Sequence, residues 1–396
     1  MNSPDFPGQA SATHASEAAP LSQKPRIAFF HLGDVPIANM TMVGVLQRAF
    51  PEAQLVRIDV KDRIKQNKRV ILINLLFMLK EYWKKLLLRQ RRLWNCFFTT
   101  PYLFKHIKKL AAQIADENDL AFTFQMQSLF DASVPGTPHF VYTDHTFLVN
   151  LTYPHFDRST LPTPKWLALE KSVYANATMT FVRSSHVLRS LIEQYGCPPE
   201  RAACVYAGSN TTVDDSIPTR HDLGRKNILF VGIDWERKGG PELIQAFKRV
   251  LAHHPSATLT IVGCQPECDL PNCEVVGLVP VDEVGRYYRD ASIFCLPTKV
   301  EPFGIVFVEA LHYGLPIVAT QIGALPDLVS ERNGRLVPPG EVDALATALI
   351  ELLSDPEALA LFGEESRRLA LERYNWESVG RRMRQEISHC FDFASP

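Results

Sequence analysis

No two aspartates in this 396-residue chain are separated by a single residue, so it lacks the Asp-x-Asp metal clamp of single-sheet nucleotide-sugar enzymes. The patterns GxGxxG and GxxxxGK[ST] are missing as well, which argues against a dehydrogenase and a P-loop ATPase. Any anion this chain holds must be met by protein cations or helix ends. Neither sign of charge is in excess: 42 Lys plus Arg against 43 Asp plus Glu leave a net charge of -1, which supports neither nucleic-acid binding nor a halophilic surface. The eight cysteines are few for the length, and the Ala-, Ser- and Pro-rich start of the chain has no apolar leader. They read as reduced thiols of a cytoplasmic protein. Cys264, Cys268 and Cys273, in GCQPECDLPNC, come closest to a metal cluster. Their gaps differ from the two-residue spacing of zinc knuckles and a fourth ligand would have to come from elsewhere, so the segment reads as a βα loop, leading from a strand into a helix. No metal and no cofactor is expected.

The length suits two domains of ordinary size. Short β-branched or aromatic runs alternate with stretches of helical period, the signature of parallel α/β architecture. The runs are RIAFF, LAFTF, HFVYT, MTFV and CVY in the first half, and NILFVG, TLTIVG, IFCLP and PIVAT in the second. Between them SNTTVDDSIPTRHDLGRKN is polar and aperiodic. The resulting organisation is a disordered tail over 1–24, a first domain over 25–210, a linker over 211–226, a second domain over 227–373, and a closing helix over 374–396 placed to pack back on the first half. Two Rossmann-like, doubly wound domains would face each other across a cleft lined by the carboxyl ends of strands.

The segment EPFGIVFVEALHYG, residues 301–314, sets Glu301 and Glu309 around a Pro-Phe-Gly corner. Gly304 would open an apolar helix, leaving the N–H groups of Phe303, Gly304, Ile305 and Val306 free to meet an anion. The carboxylates flank that point and could accept hydroxyl pairs on either side of a diphosphate. The bland alternative is a buried helix with two incidental acids. ILFVGIDWERKGG weighs against it, because Gly232 closes a strand and Arg237 and Lys238 precede a helix start, where cations oppose the helix dipole unless they have a task.

EPFGIVFVEAL resembles the E-x7-E signature, and FVGIDWERKGG the preceding phosphate loop, of the retaining glycosyltransferases of family 4, which have the GT-B fold. The likeness continues through HYGLPIVATQIGALPDLV and NGRLVPPGEVDALATALIELL, and thins out in the first half. It implies that Lys238 meets the diphosphate and Glu309 the ribose hydroxyls, while Glu301 and the backbone of Phe303, Gly304, Ile305 and Val306 meet the donor sugar and phosphates. Gly232 lies beside this donor site. His145, in HFVYTDHTF, matches a family histidine between donor sugar and acceptor; Asp144 as a turn cap with His145 a solvated neighbour is the alternative. Two departures stand out: Ile233 occupies the place of a family arginine, for which Arg237 is the natural substitute, and only Gly33 and Gly44 remain where a Gly-Gly pair is usual. The implied activity is metal-independent transfer of a hexose, with retention, from a UDP- or GDP-linked donor to a glycan or lipid-linked acceptor. The alternative is a non-catalytic sugar-nucleotide-binding or scaffold protein.

Residues 61–110 hold fourteen Lys and Arg against Asp62 and Glu81, a net of +12 in a chain whose total is -1. The apolar stretch VILINLLFML is ten residues, short of the ~20 that span a bilayer. Trp83, Trp94, Phe97, Phe98 and Tyr102 are interleaved with the cations, which suits a segment lying in the headgroup region of an anionic membrane, peripheral on its inner face. The alternative is a helical insertion packed on the first domain by its apolar face, with a solvated basic face.

Overall fold

The computed structural model describes residues 24–34, 38–210 and 225–390, so nearly all of the expected tail and linker lie outside the described residues. In the first half, β1 (Arg26–His31), β2 (Gln54–Asp59), β3 (Leu120–Met126), β4 (His139–Thr143), β5 (Met179–Val182) and β6 (Ala202–Cys204) form a parallel sheet in the order β2-β1-β3-β4-β5-β6. In the second half, β7 (Asn227–Val231), β8 (Thr258–Val262), β9 (Cys273–Gly277), β10 (Ile293–Leu296), β11 (Ile317–Thr320) and β12 (Gly334–Val337) pair in parallel as β12-β11-β10-β7-β8-β9. The protein is thus a two-sheet α/β molecule of the GT-B kind. Strand order reverses between β1 and β3 in one sheet and between β7 and β10 in the other, the places where such sheets open a crevice for a ligand.

Helices cover both faces of each sheet, so central strands such as β4, β5, β10 and β11 are buried along their whole length and read as unbroken apolar runs. The cysteine segment connects β8 directly to the adjacent β9 with no intervening helix, and Cys273 opens β9. All three thiols are free, and burial pushes Cys264 up to about 11 and Cys273 up to about 12. Among the described residues, the one group of metal-ligand side chains close enough to share an ion is His31, Asp34 and Asp59. Arg57 already lies against it, donating to His31 Nε2 at 2.8 Å and pairing with Asp34.

The last helix, Trp376–Cys390, returns to the first half. Its Val379, Met383 and Ile387 share an apolar cluster with Met42, Val45 and Leu46 of the helix Ala38–Ala49. Beside the cleft, Ser185 donates through its backbone N–H and its hydroxyl to the two carboxylate oxygens of Asp327, each at 2.6 Å, tying one half to the other.

The basic segment is helical but matches neither expectation in full. The helix Lys68–Leu87 buries Val70, Asn74, Met78 and Tyr82 against the first half. Its opposite side exposes Leu72, Leu75, Leu76, Leu79, Trp83 and Leu87, an i, i+3, i+4, i+7 series that is one apolar stripe. Several cations turn inward. Lys85 donates to the carbonyls of Ser159 at 2.8 Å and Leu161 at 2.6 Å, Arg91 to that of Thr160 at 2.6 Å, and Lys108 pairs with buried Asp131 at 2.8 Å. Of the interleaved aromatics, Trp83 and Trp94 are exposed, Phe97 and Tyr102 half-buried, and Phe98 buried. Among the described residues no helix is long and apolar enough to cross a membrane.

Candidate functional site

The loop leaving β7 is stitched to the loop leaving β10. Lys299 N–H donates to the Arg237 carbonyl at 2.8 Å and the Arg237 guanidinium to the Val300 carbonyl at 2.9 Å. Gly239, at φ 75°, seats the turn against Pro297, whose carbonyl oxygen would lie 1.9 Å from any Cβ placed there. This stitching sets Lys238 Nζ on Glu301 Oε2 in a buried ion pair, with exposures of 8% and 5%. Sequence spacing did not foretell that contact, since the two residues were read as separate neighbours of an anion.

Gly304 is the N-cap of the helix Ile305–His312, at φ 87°, and a Cβ there would lie 2.6 Å from the Phe307 ring. A left-handed corner this crowded requires glycine. The helical ladder begins with Phe307 and Val308 donating to the Gly304 carbonyl, so the N–H groups of Ile305 and Val306 precede it at the positive end of the helix. Phe303 is buried beneath the corner. Gly232 sits at the exit of β7, its N–H bound to the Val262 carbonyl at 2.9 Å.

Glu309, on this helix, is buried and accepts a hydrogen bond from the Tyr288 hydroxyl at 3.0 Å. Burial pushes its carboxyl up to about 7, an effect the Tyr288 hydroxyl only partly offsets. In the native state this group therefore holds a proton that the unfolded chain, with an ordinary carboxyl near 4.5, has released. Its contribution to stability is full below 4.5 and is lost as pH rises from 4.5 through 7. Unfolding free energy should fall across that window, with at most about 3 kcal/mol assigned to this group, and Glu309→Gln should flatten that part of the slope in denaturant titrations. Glu170, also raised to about 7 by burial, adds a slope of the same sign, so the comparison is between variant and parent.

Arg237 is less free than expected. Its Nε donates to Asp234 at 3.1 Å and the guanidinium also serves Val300, leaving the side chain about a third exposed. Ile233, at the position of the family arginine, is 77% exposed and packs on nothing that would explain it. His145 lies past the end of β4. Asn150 donates to its Nε2 at 3.0 Å, Nδ1 is buried without a partner, and burial pushes its pKa down. The ring is thus neutral with its proton on Nδ1. Asp144 pairs with Arg183 at 3.6 Å. His145 and Asp144 stay with partners of their own half, while Lys238, Glu301, Gly304 and Glu309 form one wall of the cleft.

Two residues at this wall carry no motif. Tyr288, in the helix Gly285–Asp290, fixes Glu309. Tyr153 reaches over from the first half to Gly323 and the Glu301 backbone, and burial raises its phenol well above the usual range. Nothing in GRYYRD or LTYPH would single either out. Only tertiary packing does so, within the second half for Tyr288 and between the halves for Tyr153.

Residues 225–355 match the family described as Glycosyl transferases group 1. A GDP-mannose-dependent alpha-(1-6)-phosphatidylinositol monomannoside mannosyltransferase of Mycolicibacterium smegmatis is 32% identical over 171 residues, 38% of this chain and 45% of that protein. An MMP alpha-(1->4)-mannosyltransferase of Mycolicibacterium hassiacum is 27% identical over 54% of each chain. The chain spans about half the length of the curated relatives it matches. Among solved structures, sucrose-phosphate synthase from Thermosynechococcus elongatus superposes with a TM-score of 0.61 at 18% identity, covering 92% of this chain and 98% of that one. Anabaena HepE in complex with UDP superposes with a TM-score of 0.64 at 17% identity, covering 92% and 100%. At such identities the likeness concerns the fold. The matched segment lies in the second half, and the two-sheet architecture of the whole chain is the GT-B fold.

Proposed function

We propose that this chain transfers a hexose from a nucleoside-diphosphate sugar to an acceptor hydroxyl, with retention at the anomeric carbon and without a bound metal. The observation that carries the reading is the cleft wall itself, where a buried cation, a glycine-capped helix start and a buried carboxylate follow one another. Glu309 accepts hydroxyls of the donor ribose. The helix start at Gly304 and Lys238 take the diphosphate, whose charge grows as the sugar leaves. Lys238 exchanges part of its contact with Glu301 for a phosphate oxygen, which frees the Glu301 carboxylate to accept hydroxyls of the donor sugar. Arg237 adds a second cation once it leaves Asp234. The departing phosphate oxygen takes the proton of the incoming hydroxyl, so no protein nucleophile is required, and the neutral His145 donates to a substrate oxygen from the facing half.

Relatives named for transfer to phosphatidylinositol mannosides, and a solved neighbour that holds UDP, favour a UDP- or GDP-linked donor and a lipid-borne or glycan acceptor. A lipid acceptor agrees with the apolar stripe of the helix Lys68–Leu87, flanked by exposed Lys80 and Lys84, lying on an anionic membrane surface.

The test is a thermal-shift panel of UDP-, GDP- and ADP-sugars, followed by turnover of the stabilising donor in the presence of EDTA and assignment of the product anomer by NMR. A ligand at a hundred times its dissociation constant stabilises by about 2.7 kcal/mol. Turnover in EDTA with the donor anomer preserved is expected. Binding without turnover would favour the non-catalytic alternative, to which the exposed Ile233 points, and an inverted product would remove retention.

A further inference from the structure

The connection from β8 to β9 is slighter than a parallel sheet usually has. Residues 264–272 run from the carboxyl end of one strand to the amino end of its neighbour without a helix, whereas such crossovers commonly take a dozen or more residues. β9 is also an edge strand of its sheet. Asn272, at φ 60°, turns the chain into β9, and its side chain donates to the Pro255 carbonyl at 2.9 Å. That turn brings two thiols together. Cys268, inside the crossover, donates to the Sγ of Cys273, the first residue of β9, at 2.9 Å. An S–S bond is ~2.05 Å long, so less than an ångström separates this contact from a bond. Both side chains are partly open to solvent, and their neighbours Glu267, Asp269 and Glu274 are exposed. The buried Cys96, Cys197 and Cys295, by contrast, each fill space in a separate apolar cluster.

We propose that Cys268 and Cys273 form an oxidation site, a dithiol that a peroxide converts to an intramolecular disulfide stapling the crossover to the edge strand. The inference is independent of the transfer reading above. The carboxylates of Glu267, Asp269 and Glu274 repel an anionic oxidant such as glutathione disulfide, which leaves a neutral peroxide as the better reactant. In the first step the Cys268 thiolate attacks one peroxide oxygen. The O–O bond breaks, Cys268 becomes a sulfenic acid, and the other oxygen leaves as hydroxide, which takes up the proton that Cys268 released. In the second step the Cys273 sulfur attacks the sulfenic sulfur and the S–O bond breaks, so that water leaves with the hydroxyl oxygen and the Cys273 proton. Two thiols lose two electrons in all, and one peroxide is reduced to two waters. Cys268 reacts first, because burial pushes the Cys273 thiol up to about 12 and keeps its proton in place. A thiol already in contact captures the sulfenic acid before a second peroxide can carry it to the sulfinic state.

The test treats the full chain with hydrogen peroxide, blocks the remaining thiols with iodoacetamide under denaturing conditions, and digests with Glu-C protease. Cleavage after Glu267 and Glu274 releases residues 268–274, which hold both cysteines and exclude Cys264. The expected product is this peptide without alkyl groups and lighter by two hydrogens than its reduced form. Alkylation of both sulfurs at peroxide doses that oxidise the exposed Cys390, or a sulfinic acid on Cys268 in place of the disulfide, overturns the proposal. Hydrogen exchange then reads the staple. Opening of residues 264–274 should become at least about tenfold rarer in the oxidised chain than in the reduced one, and the difference should vanish in Cys273→Ser. Equal exchange in the oxidised and reduced parent protein would remove the staple.

Discussion

Lys238→Met reduces turnover of the donor by about 10²–10³-fold, the loss that follows removal of one preorganised donor from a site of developing negative charge. The structure adds a second effect. Glu301 is buried and paired with Lys238, and breaking a buried pair by removing one partner costs about 3–5 kcal/mol, because the other charge stays behind in the interior. Lys238→Met should therefore also lower the midpoint of denaturant unfolding. Lys238→Met combined with Glu301→Gln separates the two, since a neutral amide needs no counter-charge. Stability should return toward that of the parent while turnover stays low. Stability regained together with turnover would mean that Lys238 serves the fold alone, and near-parental turnover in Lys238→Met by itself would end its assignment to the leaving group.

Neutralising Lys68, Arg69, Lys80 and Lys84 to Gln weakens binding to anionic vesicles by about 10³-fold, at ~1 kcal/mol per basic residue near such a surface. All four are exposed, and none is among the cations that turn inward to backbone carbonyls or to Asp131, so the fold should survive the change. Parent protein should float with phosphatidylserine-containing vesicles at low salt and detach as salt shortens the screening length. Trp83→Ser combined with Leu76→Ser removes apolar contact from the same stripe and should weaken binding with less dependence on salt. Equal recovery on neutral and anionic vesicles would remove the electrostatic part of the reading. No recovery on either would remove the membrane, and with it the reason to expect a lipid-borne acceptor.

By itself the sequence determined the architecture and the glycine corner that opens the helix Ile305–His312. Strands covered on both faces, such as FVYT in β4 and IFCL in β10, carry unbroken apolar runs because both sides of the chain are dry. The corner at Gly304 is legible because a left-handed N-cap before an apolar helix accepts few residues but glycine. β2, β9 and β12 escaped because each lies at a sheet edge with half-exposed residues, and β9 begins in a segment that reads as a cysteine loop. CVY was placed too late, as β6 ends at Cys204. What only the tertiary structure decided are contacts between segments far apart in the chain. Lys238 meets Glu301 because two loops from neighbouring strands share backbone hydrogen bonds, and Tyr288 reaches Glu309 from a separate helix. The basic segment shows the division most clearly. Its charge and aromatic content are plain in the sequence, but helical period alone cannot say which of two apolar faces packs. That choice rests on the surface the first half presents, which buried Val70, Met78 and Tyr82, left the leucine stripe outside, and drew Arg91 inward to the Thr160 carbonyl.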